Sequence, residues 1–214
     1  MSAWPALLAL AAAALAAVFK PWQTLRRGAL RHPWLAALVL LPWLWSTAAH
    51  LPGGLPVQLS MGALTVLMFG WPLACWSWLL AAAAAAWLAR PAVAAEPAAW
   101  ALLAGELAWW NGVLPGTLAL ALGLATRRWL PAHPMVYILA RGFGATLLAM
   151  AATGVLWVLT QPPPAGADAE SLTLGRWLIA WGDAVTTGML TAIFVAYRPE
   201  WLLTWSDRRY LPPR

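Results

Sequence analysis

The chain has 214 residues, 63% hydrophobic and 9% charged, with a formal charge of +6; a soluble domain carries roughly a quarter charged residues. Together with a mean hydropathy of +0.70, this excludes an ordinary soluble enzyme. It predicts an all-α, polytopic transmembrane helix bundle forming a single integral membrane domain. Seven helices of about 20 residues, the length a ~30 Å hydrocarbon core requires, would use about 140 residues and leave no separate catalytic domain.

The first apolar run, 3–19, has the length of a secretory signal, but Lys20, Arg26, Arg27 and Arg31 follow it and no basic residue precedes it. That order predicts a retained helix with its N-terminus outside. Further runs cover 34–49, 57–71, 73–89, 99–125, 135–160 and 173–197. Basic residues gather in the 20–31 loop, at Arg127–Arg128 and in the short tail 198–214, whereas 50–56 and 161–170 carry none. The positive-inside rule then favours about seven spans and a cytoplasmic C-terminus, with Arg90 and Arg176 outside and Arg141 within a span. Because the basic residues flank apolar runs instead of forming a soluble patch, no nucleic-acid partner is expected; the expected environment is the lipid bilayer of a bacterial inner membrane.

Two places break the pattern. The third run, 57–71, is 15 residues, about 22 Å of helix, so it either spans with difficulty or re-enters. Asn111, Gly112, Pro115 and Gly116 interrupt the fifth run. Broken helices often mark a transporter's substrate site, although Gly and Pro are common in membrane helices generally.

Ionisable residues at depth are functional candidates by default. Glu106, Asp183 and Arg141 qualify. An Asp183–Arg141 pair between the last two helices is geometrically possible, as a structural or gating pair, and Arg141 can alternatively snorkel to the interface. Asp183, Thr187 and Thr191 share one helix face, which should point into the bundle. Asn111, with Glu106, would offer oxygen ligands to a small cation or polar solute, or serve as interhelical glue. The single Cys75 excludes an internal disulfide or CxxC site and reads as packing. His32 and His133 read as interfacial loop residues, and no local His/Cys cluster, nucleotide loop or nucleophile–base pair stands out. No catalytic residue is therefore assigned, and the metal ligands are unknown. Most tryptophans, Trp34, Trp45 and Trp78 among them, read as an interfacial belt. Ala9, Ala13 and Ala17 offer a small-residue contact face on the first helix.

Residues 56–211 resemble the energy-coupling factor (ECF) transporter permeases of the CbiM-like cobalt/nickel type, closest to a proteobacterial branch of predicted membrane proteins. The stretches that carry this are QLSMGALTVLMFGWPLA at 58–74, RWLPAHPMVY at 128–137, GDAVTTGML at 182–190, YRPEWL at 197–202 and DRRYL at 207–211. The resemblance implies a substrate-binding permease subunit that works with an ECF coupling transmembrane subunit and two cytoplasmic ATPases. It would have no intrinsic cofactor and no enzyme activity of its own, and would import a divalent transition metal or another small solute. Metal-binding members begin Met-His and place a His before the third helix, where this chain has Met1-Ser2 and Gln58; an amide oxygen is a weaker donor than imidazole for nickel or cobalt. The expected binding region is Gln58, Glu106, Asn111, Asp183 and Thr187. The alternative is a non-transporting accessory or assembly subunit of a larger membrane complex, and an intramembrane enzyme comes third.

Overall fold

The computed structural model describes residues 3–26, 28–47, 49–51, 55–89, 96–163 and 168–211. Met1, Ser2, Arg27, Arg90 and Arg214, which enter the readings above, lie outside these. The helices are α1 (Trp4–Val18), α2 (Arg31–Ser46), α3 (Gly62–Phe69), α4 (Trp71–Leu88), α5 (Pro97–Trp129), α6 (Pro134–Thr160), α7 (Ala169–Tyr197) and a final turn α8 (Asp207–Tyr210). A two-stranded antiparallel ribbon, β1 (Ala49–Leu51) with β2 (Leu55–Val57), joins α2 to α3. Four helices, α4 to α7, are long and apolar enough to cross a membrane. The 15-residue α1 and 16-residue α2 rise only about 22 and 24 Å.

The run 57–71, expected as the third of seven spans, does not form a spanning helix. Its first residue belongs to β2, Gln58 to Met61 are irregular, and α3 has only 8 residues, about 12 Å of rise. Met61, at the N-terminus of α3, contacts Asp183 in the middle of α7, while Leu67 and Met68 contact the segment that follows α7. The half-helix therefore runs alongside the second half of α7, from its middle to its end. Gly70 then reverses the chain into α4 in a single residue with φ +74°, a conformation that glycine adopts without steric cost. All eight residues of α3 are buried, so this short helix is the centre of the bundle.

The fifth run is also not interrupted as expected. α5 continues through Asn111–Gly116 by widening into a π-turn at Trp109–Val113, where the Leu114 N–H donates to the Trp109 carbonyl. Such a turn absorbs a proline because the ladder is already shifted by one residue. A second π-segment, Tyr137–Gly144, opens α6.

Small residues set the helix spacing. Ala9 and Ala16 of α1 meet Ala81, Ala82 and Ala85 of α4 in one buried cluster, and a Cβ on Gly105 of α5 would stand 2.2 Å from the Ala6 Cβ. The alanine run of α4, uninformative as sequence, is thus a packing face on which backbones approach closely. Trp78 and Trp45 are buried, which corrects the belt reading for both. Trp78 is wedged between α3 and the π-turn of α5, with its Nε1 donating to Thr65 Oγ1 at 2.8 Å. Trp45 Nε1 donates to the Ser60 carbonyl and Trp34 Nε1 to Ser77 Oγ; indole N–H groups taken out of water need such partners.

Outside the long helices, Asp168 caps α7 by accepting the Ser171 N–H at 2.7 Å, and the Ser171 hydroxyl together with that N–H holds its carboxyl below the ordinary value of 3.8. A depressed carboxyl stabilises the fold above its ordinary pKa and loses that contribution as pH falls through the lowered value. Asp168→Ala is expected to speed amide exchange severalfold at Ser171 and the first turn of α7, leaving the α4 core unchanged. Unchanged exchange at Ser171 would show that the cap does not hold this turn.

Candidate functional site

The polar centre lies where three irregularities meet: the αL residue before α3, the π-turn of α5 and the mid-point of α7. Met61 adopts φ +55°, uncommon for a residue with a side chain, and this turns the first N–H groups of α3 toward α7. There the Met61 N–H donates to Asp183 Oδ1 at 3.0 Å. The adjoining Gly62 N–H donates to Ser60 Oγ at 3.0 Å, and that hydroxyl donates to the Asn111 carbonyl at 2.6 Å. A carboxylate at a helix N-terminus satisfies donors that lack an intrahelical partner and complements the positive end of the dipole.

Gln58 and Asn111, both named from the sequence, are brought together: Asn111 Nδ2 donates to Gln58 Oε1 at 3.0 Å. Gln58 Nε2 in turn donates to the Trp45 carbonyl at the end of α2. Glu106 lies on the same helix as Asn111 but five residues earlier, about 8 Å along the axis, and is half-buried. Asp183, Thr187 and Thr191 fall on one face of α7 and are all fully buried. Asp183 Oδ2 and the hydroxyls of Thr187 and Thr191 have no hydrogen-bond partner among the described residues.

Arg141 and Asp183 do not pair. Arg141 donates to Tyr210 Oη at 3.3 Å and stands over the Tyr137 ring, 5.2 Å from its centroid. Among the described residues the ion pair present is Arg198–Glu200, at 3.5 Å. The reason is axial register. Gly142 packs against Thr191, two turns beyond Asp183, which leaves Arg141 about 12 Å along the helix from the carboxylate. Arg141 does not snorkel freely either, because α8 covers it and it is only 6% exposed.

Three contributors were not singled out from the sequence. Ser60 links α3 to α5, Met61 sets the direction of the half-helix, and Tyr210 closes the far end. A Ser two residues before Gly62 is a recognisable local turn signal. The positive φ of Met61 has no sequence signature.

Chemically, the centre presents one carboxylate oxygen and hydroxyl oxygens, with two amides that face each other. Among the described residues no group of three or more His, Cys, Asp or Glu side chains could hold a metal ion. Oxygen donors of this kind suit a hard cation or a solute bearing N–H or O–H groups better than a soft transition metal. No protein-family model, curated protein or solved structure matches the chain.

Proposed function

We propose that the protein is the membrane-embedded solute-binding subunit of an importer of the energy-coupling factor type, resident in a bacterial inner membrane. It crosses the bilayer seven times, with the N-terminus outside and the C-terminus cytoplasmic. The third pass consists of the ribbon, the irregular residues 58–61 and the half-helix α3. The observation that carries this reading is the half-helix that begins at mid-depth against Asp183, whose second oxygen is unpaired. Discontinuous helices whose ends meet polar groups at the bilayer midplane are how transporters build substrate sites. The solute contacts Asp183 and Thr187, with Gln58 and Asn111 shaping the neighbouring wall and Glu106 lying toward the outer end of α5. A small polar solute or a single hard cation suits these donors; a divalent transition metal, the cargo that the resemblance implies, would have to bind with amide and carboxylate oxygens alone. Partner subunits, a coupling transmembrane protein and ATPases, supply the energy.

The test is purification of the tagged chain from its native membrane, with identification of co-purifying proteins and bound metal by mass spectrometry. Uptake of radioactive cobalt, nickel and a panel of small polar solutes is measured in parallel. Co-purifying ATPases and uptake that falls at least about tenfold in Asp183→Asn, the size expected for loss of a charge-assisted bond, support the reading. Unchanged uptake in Asp183→Asn and Gln58→Leu, with both proteins accumulating normally, overturns the site.

A second reading, an accessory subunit of a larger membrane complex, is favoured by one observation. Gln58, Asn111, Trp45 and Ser60 already satisfy one another, as structural glue would. Co-purification with an unrelated membrane complex, and no ATPase, selects it.

A further inference from the structure

Among the described residues, Arg141 is a buried cation without a counter-charge. It is 6% exposed, its Nε has no hydrogen-bond partner, and its Nη1 reaches only the neutral Tyr210 hydroxyl. Gly123 of α5 lies against the guanidinium, where an added Cβ would stand 3.2 Å from Nε. The Tyr137 ring lies on another side at 5.2 Å. A guanidinium at such depth is normally met by a carboxylate, a phosphate or several carbonyls. The nearest acid of the tail, Asp207, accepts the Trp205 Nε1–H at 2.6 Å and does not line the cleft.

The cleft over Arg141 is instead bordered by two more cations, Arg127 at the end of α5 and Arg209 in α8. Arg209 Nη2 donates to the Arg127 carbonyl at 3.0 Å, which fastens the tail across the opening. Three guanidinium groups thus border one cleft whose lining contains no carboxylate. The cleft is tight, with room for about one water-sized group. It therefore admits a single anionic oxygen toward Arg141, while the rest of the anion stays outside beside Arg127 and Arg209. Its rim carries Leu130, and the neighbouring Trp129, Met135 and Leu211 are exposed, an apolar border of the kind that sits at the bilayer surface.

We propose that this cleft binds the phosphate of an anionic phospholipid at the cytoplasmic surface, one phosphate oxygen taking Arg141 and the rim arginines taking the others. Arginine's planar fork suits phosphate oxygens, and the apolar rim favours a lipid over free phosphate. The site stands apart from Asp183 and holds whether or not the protein transports a solute.

The experiment is native mass spectrometry of the full chain, delipidated in detergent and titrated with dioleoyl phosphatidylglycerol or dioleoyl phosphatidylcholine. Wild-type protein is expected to retain one phosphatidylglycerol at least tenfold more tightly than phosphatidylcholine. Arg141→Gln should lose that preference by about 10-fold or more, the range for a bond to a charged group. Arg127→Gln and Arg209→Gln, at exposed positions that leave the core intact, should each weaken it by about fivefold. Equal phosphatidylglycerol binding by wild type and the Arg127→Gln/Arg209→Gln double variant overturns the proposal. Displacement of phosphatidylglycerol by 10 millimolar inorganic phosphate overturns the lipid as occupant in favour of the free anion. Wild-type protein that discriminates neither lipid nor phosphate also overturns it, and leaves Arg141 to a carboxylate of a protein partner.

Discussion

Asp183→Leu is expected to lower the stability of the protein by about 2–4 kcal/mol, whereas Asp183→Asn should cost about 1 kcal/mol. The asymmetry follows from what the carboxylate holds. Its Oδ1 accepts the Met61 N–H at the buried start of α3, a donor that no preceding turn of helix can satisfy. Leucine removes the acceptor and leaves that N–H orphaned in an apolar interior, so the lost bond and the desolvation penalty act together. Asparagine keeps an oxygen in the same place and gives up only the charge. The measurement is thermal unfolding in detergent of the three proteins, followed by far-ultraviolet circular dichroism, with proteolysis after Arg31 as a check on exposure of α2 and α3. Equal unfolding midpoints for Asp183→Leu and wild type would mean that Asp183 does not anchor the half-helix, and the site would lose its architectural basis.

Gly116→Val is expected to cost about 3 kcal/mol, at the upper end for overpacking a filled interior. A Cβ at Gly116 would stand 2.3 Å from Trp78 Cη2, and one at Gly112 would stand 2.5 Å from Trp78 Cγ. Trp78 is fully buried and hydrogen-bonded to Thr65 on α3, so it has nowhere to retreat without releasing the half-helix. Trp78→Ala alone leaves a large cavity, at a cost of about 3–5 kcal/mol. The double variant Trp78→Ala/Gly116→Val should be markedly less destabilised than the sum, because the new methyl groups enter the space the indole vacated. Additive costs would show that the contact between α4 and α5 is looser than the interatomic distances require.

Both predictions concern the same junction, and they explain how the candidate site is held. Trp78 presses α3 from the α4 side, Ser60 ties its start to the π-turn of α5, and Leu203 and Thr204 donate to the carbonyls of Met68 and Leu67 at its end. An 8-residue helix cannot persist alone. Here each end and one face has a partner from a different part of the chain. The C-terminal segment is therefore a structural part of the bundle, with Tyr137, Trp205 and Tyr210 in mutual ring contact beneath it.

Much of the candidate site was legible residue by residue. Asp183, Thr187 and Thr191 are four residues apart on a long apolar helix, and a polar stripe in such a helix has to face protein because lipid offers no partner. Asn111 stood out as an amide within a break in an apolar run, and Gln58 as the residue standing where the resemblance implies a histidine. What could not be read was which of these meet. Depth counting brought Asp183 and Arg141 within reach of each other, but it assumed two regular helices entering at matched levels. The π-segment of α6 and the packing of Gly142 on Thr191 set a register two turns away from that. The tryptophans of the helix ends were similarly ambiguous, since position along a run does not say whether an indole faces lipid or, like Trp45 and Trp78, the interior.

The sequence by itself determined the class of molecule. Composition and the length of the apolar runs require a helical membrane bundle, because only helices and closed barrels satisfy the backbone in hydrocarbon, and the alternation of basic clusters sets the expected sidedness. Tertiary structure alone decided the course of the third run and the partners of the buried charges. A Gly or Pro permits a break without specifying it. Whether residues 58–69 form a crossing helix or a half-helix depends on whether Asp183 and the C-terminal segment arrive to satisfy the freed backbone groups, and the Asn111 carbonyl to receive the Ser60 hydroxyl. Those groups come from positions 51 to 137 residues away in the chain, beyond the reach of any local pattern.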